Sequence, residues 1–158
     1  GSLFTLTAYY TDLPCMEDDW TEVCQAAPCT DCSACINNCP THAIREDRFL
    51  IDNEKCLSFY NEGPGEIPEW VPLSAFQCVY DCLECQAGCP MNAEYLDHVI
   101  GPITFSEAET AMIMGEKDFH EFDPALQKKV EVLGMTQWLP AIPRNLRILF
   151  ELESSTHG

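Results

Sequence analysis

Eight of the chain's eleven cysteines fall in two dense runs, CTDCSACINNCP from Cys29 to Pro40 and CVYDCLECQAGCP from Cys78 to Pro90. The first run reads C-x2-C-x2-C-x3-C-P. Cysteines at two-residue gaps wrap the chain around three corners of an iron–sulfur cube. The fourth, carried off by a short helical turn, points to a neighbouring cube. The proline that follows has no N–H and turns the chain away. Two such runs build two 4Fe-4S clusters that exchange a ligand crosswise. A single zinc ion takes four ligands close about one small centre, commonly from two C-x2-C pairs on separate turns. Four cysteines within eleven residues, then four within twelve, suit larger cubes better. An odd total of crowded thiols also makes a poor disulfide framework.

The spacing assigns Cys29, Cys32 and Cys35 to cluster one, with Cys89 crossing over from the second run. Cluster two takes Cys39 from the first run and Cys82 with Cys85 from the second. One corner stays open. Cys78 competes for it, because a three-residue gap can also bend around a cube, and so does Cys56, alone in the middle of the chain.

Three stretches, CTDCSACINNCPTHAI, NEKCLSFYNEGPGEIPEW and VYDCLECQAGCPMN, resemble the double-cluster domain of the epoxyqueuosine reductase family, related to bacterial dicluster ferredoxins. The resemblance runs back through TAYYTDLP and, more loosely, forward to PRNLRILF. In that family an isolated cysteine before an Ile-Ser-Tyr-type sequence is a cluster ligand, and Cys56 with Leu57-Ser58-Phe59-Tyr60 falls on it. The family's second run is C-x2-C-x3-C-P, which matches Cys82, Cys85 and Cys89 and has no counterpart to Cys78. The resemblance therefore implies Cys39, Cys56, Cys82 and Cys85 for cluster two. It also implies a relay that feeds electrons to a corrinoid (cobalamin) on an N-terminal domain, which reduces the epoxide of a modified tRNA nucleoside. The chain opens about where that N-terminal half would end, so the corrinoid site is expected outside it. A free-standing dicluster ferredoxin, shuttling electrons between partners, is the competing expectation.

Cys15, Cys24 and Cys78 are then extras, expected as small buried or half-buried side chains. His42 and His98 receive no ligand role. Tyr80 and Phe59 are expected either to shield the second cluster from water, which tunes its potential, or to be plain core.

The elements that must position these thiols are short. At 158 residues the chain is one domain, expected as an α+β fold: a dicluster ferredoxin-like core with short strands and helices, braced by C-terminal helices. Residues 1–28 form an N-terminal segment packing on the core, 29–100 the cluster core, 101–153 the helical brace and 154–158 a tail. A short helix is expected near Glu17–Cys24, and two short strands in AIREDRFLID (Ala43–Asp52). The segment NEGPGEIPEWVP (Asn61–Pro72) reads as loop. Ser106 with Glu109 makes a capping box, Gly115 stops that helix, and Asp123 with Pro124 opens the next, which Gly134 ends. Pro143 opens a third helix, with Leu146, Leu149 and Phe150 on its apolar face.

The formal charge of −18 repels phosphate backbones, so direct nucleic-acid binding is not expected. The same charge steers toward a basic redox partner and lowers the potential of any group that must accept an electron. No apolar run reaches the length of a membrane span, and no secretion signal opens the chain. A cytoplasmic location follows as the expectation.

Overall fold

The computed structural model describes residues 3–156 apart from 5, 15, 18–20, 23, 25, 47–49 and 100. Cys15 therefore lies outside the described residues, as does half of the expected helix at Glu17–Cys24; its described residues, 17, 21, 22 and 24, are not helical. Described residues up to Ala26 run without helix or strand. Several large apolar side chains there reach solvent, Leu6, Tyr9, Tyr10, Leu13 and Met16 among them.

Three short helices belong to the cysteine-rich part: α1 (Ala34–Asn38), α2 (Leu57–Asn61) and α3 (Glu84–Ala87). Three longer ones follow: α4 (Glu107–Met114), α5 (Pro124–Val132) and α6 (Ile142–Thr156). The described residues contain no strand. Where two were expected, Ala43–Asp52 forms one antiparallel bridge, Ile44 with Ile51, beside a hydrogen bond from Asp52 N–H to the Ala43 carbonyl at 2.7 Å. An isolated two-stranded ribbon is marginal without a third strand or a packed face, and Ile51 is exposed. The architecture is thus helical, with a hairpin-like turn.

The C-terminal helices begin where local chemistry dictates. The Glu109 N–H donates to the Ser106 hydroxyl at 3.2 Å, and the Ser106 N–H donates to the Glu109 carboxylate at 2.7 Å. The Asp123 carboxylate accepts from the N–H groups of Ala125 and Leu126, and Pro124 occupies the first turn. Gly115 caps α4. Beyond α5 the chain turns at Gly134 with φ +66°, a conformation that glycine adopts without a Cβ penalty. Lys129 of α5 donates to both oxygens of Glu109 of α4, at 2.6 and 2.7 Å, and to the Thr104 carbonyl.

Two hydrophobic cores result, and α6 joins them. Ile142 and Leu146 pack with Ile113, Phe122, Leu126, Val130 and Met135. Farther along, Ile148, Leu149 and Leu152 pack against Leu57, Val71, Ala75 and Phe76, the core that Cys82 also touches. The inward face of α6 therefore differs from the expected one at Phe150, which is half exposed. The helix continues through Thr156, where a tail was expected from 154. Ser154 and Ser155 hydroxyls donate to the carbonyls of Phe150 and Glu151, so the last described turns stay helical. Among the described residues, no helix is long and apolar enough to cross a membrane.

Candidate metal centre

The two cysteine runs fold alike. Cys35 is the second residue of α1 and Cys85 the second of α3. The Cys39 N–H donates to the Ile36 carbonyl at 3.3 Å, and the Cys89 N–H to the Gln86 carbonyl at 3.2 Å. Each closing cysteine then accepts three residues on, from His42 at 3.2 Å and from Asn92 at 2.9 Å. One short helical turn thus carries each fourth cysteine away from its run, as the x3 gap and proline require. α1 packs against α3, and the contact falls on matching positions. A Cβ built on Gly88 would stand 1.9 Å from Asn38 Nδ2 and 2.7 Å from Asn38 Cγ. Asn38 precedes Cys39 as Gly88 precedes Cys89, so the two motifs meet back to back.

For the first group, Cys29 ends a 3-10 turn (Ala27–Cys29) and Cys32 follows, its N–H donating to the Cys29 carbonyl at 3.3 Å. Cys32 is exposed, while Cys29, Cys35 and Cys89 are half-buried. Cys35 sits on α1, and Cys89 follows two residues beyond α3, the helix that packs against it.

The second group is drawn from three separate segments. Cys39 is buried and its Sγ accepts the Ala43 N–H at 3.2 Å, with the Thr41 hydroxyl at 3.8 Å. Burial opposes ionisation of this thiol, but the N–H groups of Thr41, Ala43 and Ile44 and the Thr41 hydroxyl prevail and bring it below its usual range. Cys56 joins the turn Asn53–Lys55 to α2, and its N–H donates to the carbonyls of Asp52 and Asn53 at 3.1 and 3.2 Å. Cys82 stands between two residues in the left-handed region, Asp81 at φ 57° and Leu83 at φ 54°.

These four thiols share one electrostatic neighbourhood. Burial pushes the Cys85 thiol up, and the charges of Cys39, Cys82 and Cys56 push it further. Cys82 is raised by burial first, then by Glu84, Cys56 and Cys39. Ionised together as metal ligands beside Glu84, these four would demand compensating positive charge. Among the described residues, no three His, Cys, Asp or Glu side chains converge on a single-ion site. A cube with iron at four alternate corners asks for thiolate sulfurs set wider than one ion does. The donor set and the N–H group aimed at Cys39 sulfur fit an iron–sulfur cluster.

Of the extras, Cys24 is exposed. Cys78 is half-buried, and burial, then the Cys82 charge, pushes its thiol up to about 11. His42 is exposed, at φ 52°, and the exposed His98 ring stacks edge-on with Tyr95 at 5.9 Å. Tyr80 serves as core: its hydroxyl donates to the Leu133 carbonyl and its ring packs on the C-terminal cluster. Phe59 is half exposed, set edge-on to Tyr60 at 5.2 Å. With Tyr60, Trp70, Thr41 and His42 it lines an open pocket of about 670 Å³ beside the second group.

Sequence reasoning missed Asn61, Arg144 and Asn145. Asn145 is fully buried, and its Nδ2 donates to the carbonyls of Asn61 and Val79 at 2.6 and 2.7 Å. Arg144 donates to Asn145 Oδ1 and to the carbonyls of Tyr60, Gly63 and Gly65. The available signal was a polar residue on the apolar stripe of α6, between Ile142 and Leu146, because a buried amide needs partners.

Glu62, at the end of α2, is also perturbed. Burial, then the Asp81 carboxylate beside it, pushes its carboxyl up to about 7. A carboxyl raised on folding favours the folded state while neutral. That contribution is complete below the ordinary carboxylate range and is lost as pH rises through about 7. The thermal midpoint under anaerobic conditions should therefore fall between pH 5.5 and 8, and Glu62→Gln should flatten the decline. An equal decline in both proteins would remove Glu62 as its cause.

Residues 28–92 match the family described as the 4Fe-4S double cluster binding domain. The epoxyqueuosine reductase of Aliivibrio fischeri is 38% identical over 95 residues, which are 60% of this chain and 24% of that enzyme. That of a Synechococcus species is 42% identical over 66 residues, 40% of this chain and 20% of the relative. The Shewanella oneidensis enzyme is 33% identical over 140 residues, 87% of this chain and 30% of the relative. The chain thus spans between a fifth and a third of these curated relatives. No solved structure matches it significantly.

Proposed function

Residues 28–92 belong to the 4Fe-4S double cluster binding family, in the form that epoxyqueuosine reductases carry, and on that premise we propose that the chain is the electron-delivery domain of a corrinoid-dependent reductase. In this reading Cys29, Cys32, Cys35 and Cys89 hold one cluster, and Cys39, Cys56, Cys82 and Cys85 the other. Clusters so held supply one-electron transfer between a donor and an acceptor. The protein's part is to bury the second group, to direct the Ala43 N–H at Cys39 sulfur, and to keep acidic side chains close, which lowers the potential. What supports the reading is that the charges of Cys39 and Cys56, from two other segments, act on both Cys82 and Cys85.

The acceptor is a corrinoid on another part of the same protein, as the family resemblance implies. Two observations favour this over a free-standing ferredoxin. The relatives devote most of their length to something other than the matched segment. In addition, Leu6, Tyr9, Tyr10, Leu13 and Met16 expose apolar surface of the kind that marks an interaction face. The substrate is then an epoxide-bearing nucleoside or a related small molecule, bound outside these residues. The test is anaerobic purification of the full-length gene product. The expected result is about eight irons per chain, reversible paramagnetic signals on dithionite addition, and a corrinoid in equal amount to protein. Iron without corrinoid would favour the ferredoxin reading, and iron that cannot be reduced would end both.

A further inference from the structure

Cys78 is four residues from Cys82 and has a partner of its own in the backbone between them. Its Sγ hydrogen-bonds the Asp81 carbonyl oxygen. A carbonyl only accepts, so the thiol supplies the proton, whereas an iron ligand must have lost it. The Nδ2 of Asn61 donates to the same carbonyl and lies 3.7 Å from Cys78 Sγ. Two donors therefore converge on one backbone oxygen.

That oxygen belongs to a strained turn. Asp81 and Leu83, on either side of Cys82, both occupy the left-handed region, which crowds the Cβ of an L-residue against its own backbone. Such a conformation persists only where its surroundings fix it. Asn61 is itself fixed. It is fully buried, its own carbonyl accepts from Asn145, and Arg144 orients the Asn145 amide through two hydrogen bonds at 3.0 and 2.8 Å. Its Oδ1 has no partner among the described residues, while its Nδ2 is turned to the Asp81 carbonyl. An unbroken chain of hydrogen bonds thus leads from α6, through the end of α2, to the turn that presents Cys82.

We infer that Cys78 and Asn61, held by Asn145 and Arg144, are positioning residues that lock the Asp81–Leu83 turn so that Cys82 faces the second cluster. This rests on the reading of Cys82 as a ligand given above. It assigns Cys78 the work of a donor, which explains a cysteine at a position for which the family resemblance has no counterpart.

The experiment compares Cys78→Ala, Cys78→Ser, Asn61→Ala and Cys82→Ser in the anaerobically purified chain, with circular dichroism to monitor folding. Iron release to a chelator and the paramagnetic spectrum of the second cluster are the readouts. Cys78→Ala and Asn61→Ala should keep the helical signal, release the second cluster's iron about tenfold faster and alter its spectrum. Cys78→Ser keeps a donor and should restore both toward the parent. Unchanged release and spectrum in Cys78→Ala would overturn the inference. So would a Cys78→Ser protein that loses as much iron as Cys82→Ser, since Cys78 would then be a ligand. Full iron in Cys82→Ser would instead overturn the ligand assignment beneath it, a separate and recognisable failure.

Discussion

Cys56→Ser is expected to cut bound iron from about eight to about four atoms per chain and to abolish the paramagnetic signal of the second cluster, while Cys78→Ser leaves both near the parent. The difference follows from where each thiol sits. Cys56 is tied at the junction of two turns by its N–H bonds to Asp52 and Asn53, and the Tyr60 hydroxyl donates to the Glu54 carbonyl at 2.6 Å, bracing that junction. The Cys56 charge reaches both Cys82 and Cys85. Cys78 instead donates its S–H to the Asp81 carbonyl. Iron and acid-labile sulfide assays on the two variants decide the matter; loss of iron in the Cys78 variant alone reverses the assignment.

The second large effect concerns Gly88. No side chain fits there without moving Asn38, because a Cβ would overlap its amide. Gly88→Val should displace the Asn38 side chain and crowd the contact between α1 and α3. These helices carry Cys35 and Cys39 on one side and lead to Cys89 on the other, so both clusters should suffer. Overpacking costs about 1–3 kcal/mol, a fall in thermal midpoint of roughly 2–12 °C at this chain length, with iron content reduced in both sites. Asn38→Gly in the same chain should relieve the clash and recover much of the iron. A Gly88→Val protein with full iron and an unaltered spectrum would show that the back-to-back contact does not set the spacing of the two motifs.

Much of the C-terminal half was legible because its signals are local. A capping box spans three residues, and the Ser106–Glu109 and Asp123–Pro124 starts appear as expected. The face of α6 was less legible. Leu149 and Phe150 are equally apolar, and only the position of Leu57 and Phe76 decides that Leu149 turns inward. Tyr80 shows the same limit: two residues from Cys82 in sequence, it points to Leu133 instead. The expected strands failed for a reason spacing cannot express, since nothing in the described structure extends the ribbon of Ala43–Asp52 beyond one bridge.

By itself the sequence pointed to the chemistry: seven cysteines in two runs, at gaps that bend a chain around cubes, each run ending in a proline that releases its last thiol. Gaps of two and three residues constrain the path of one short segment, so this much needs no partner. The company that last thiol keeps was decided by tertiary structure alone. Cys56 reaches Cys82 and Cys85 across more than twenty residues, and no local rule carries that far. The closure depends on buried amides of Asn61 and Asn145 finding carbonyls on distant loops. An unpaired buried polar group is costly, so those loops are drawn into one arrangement.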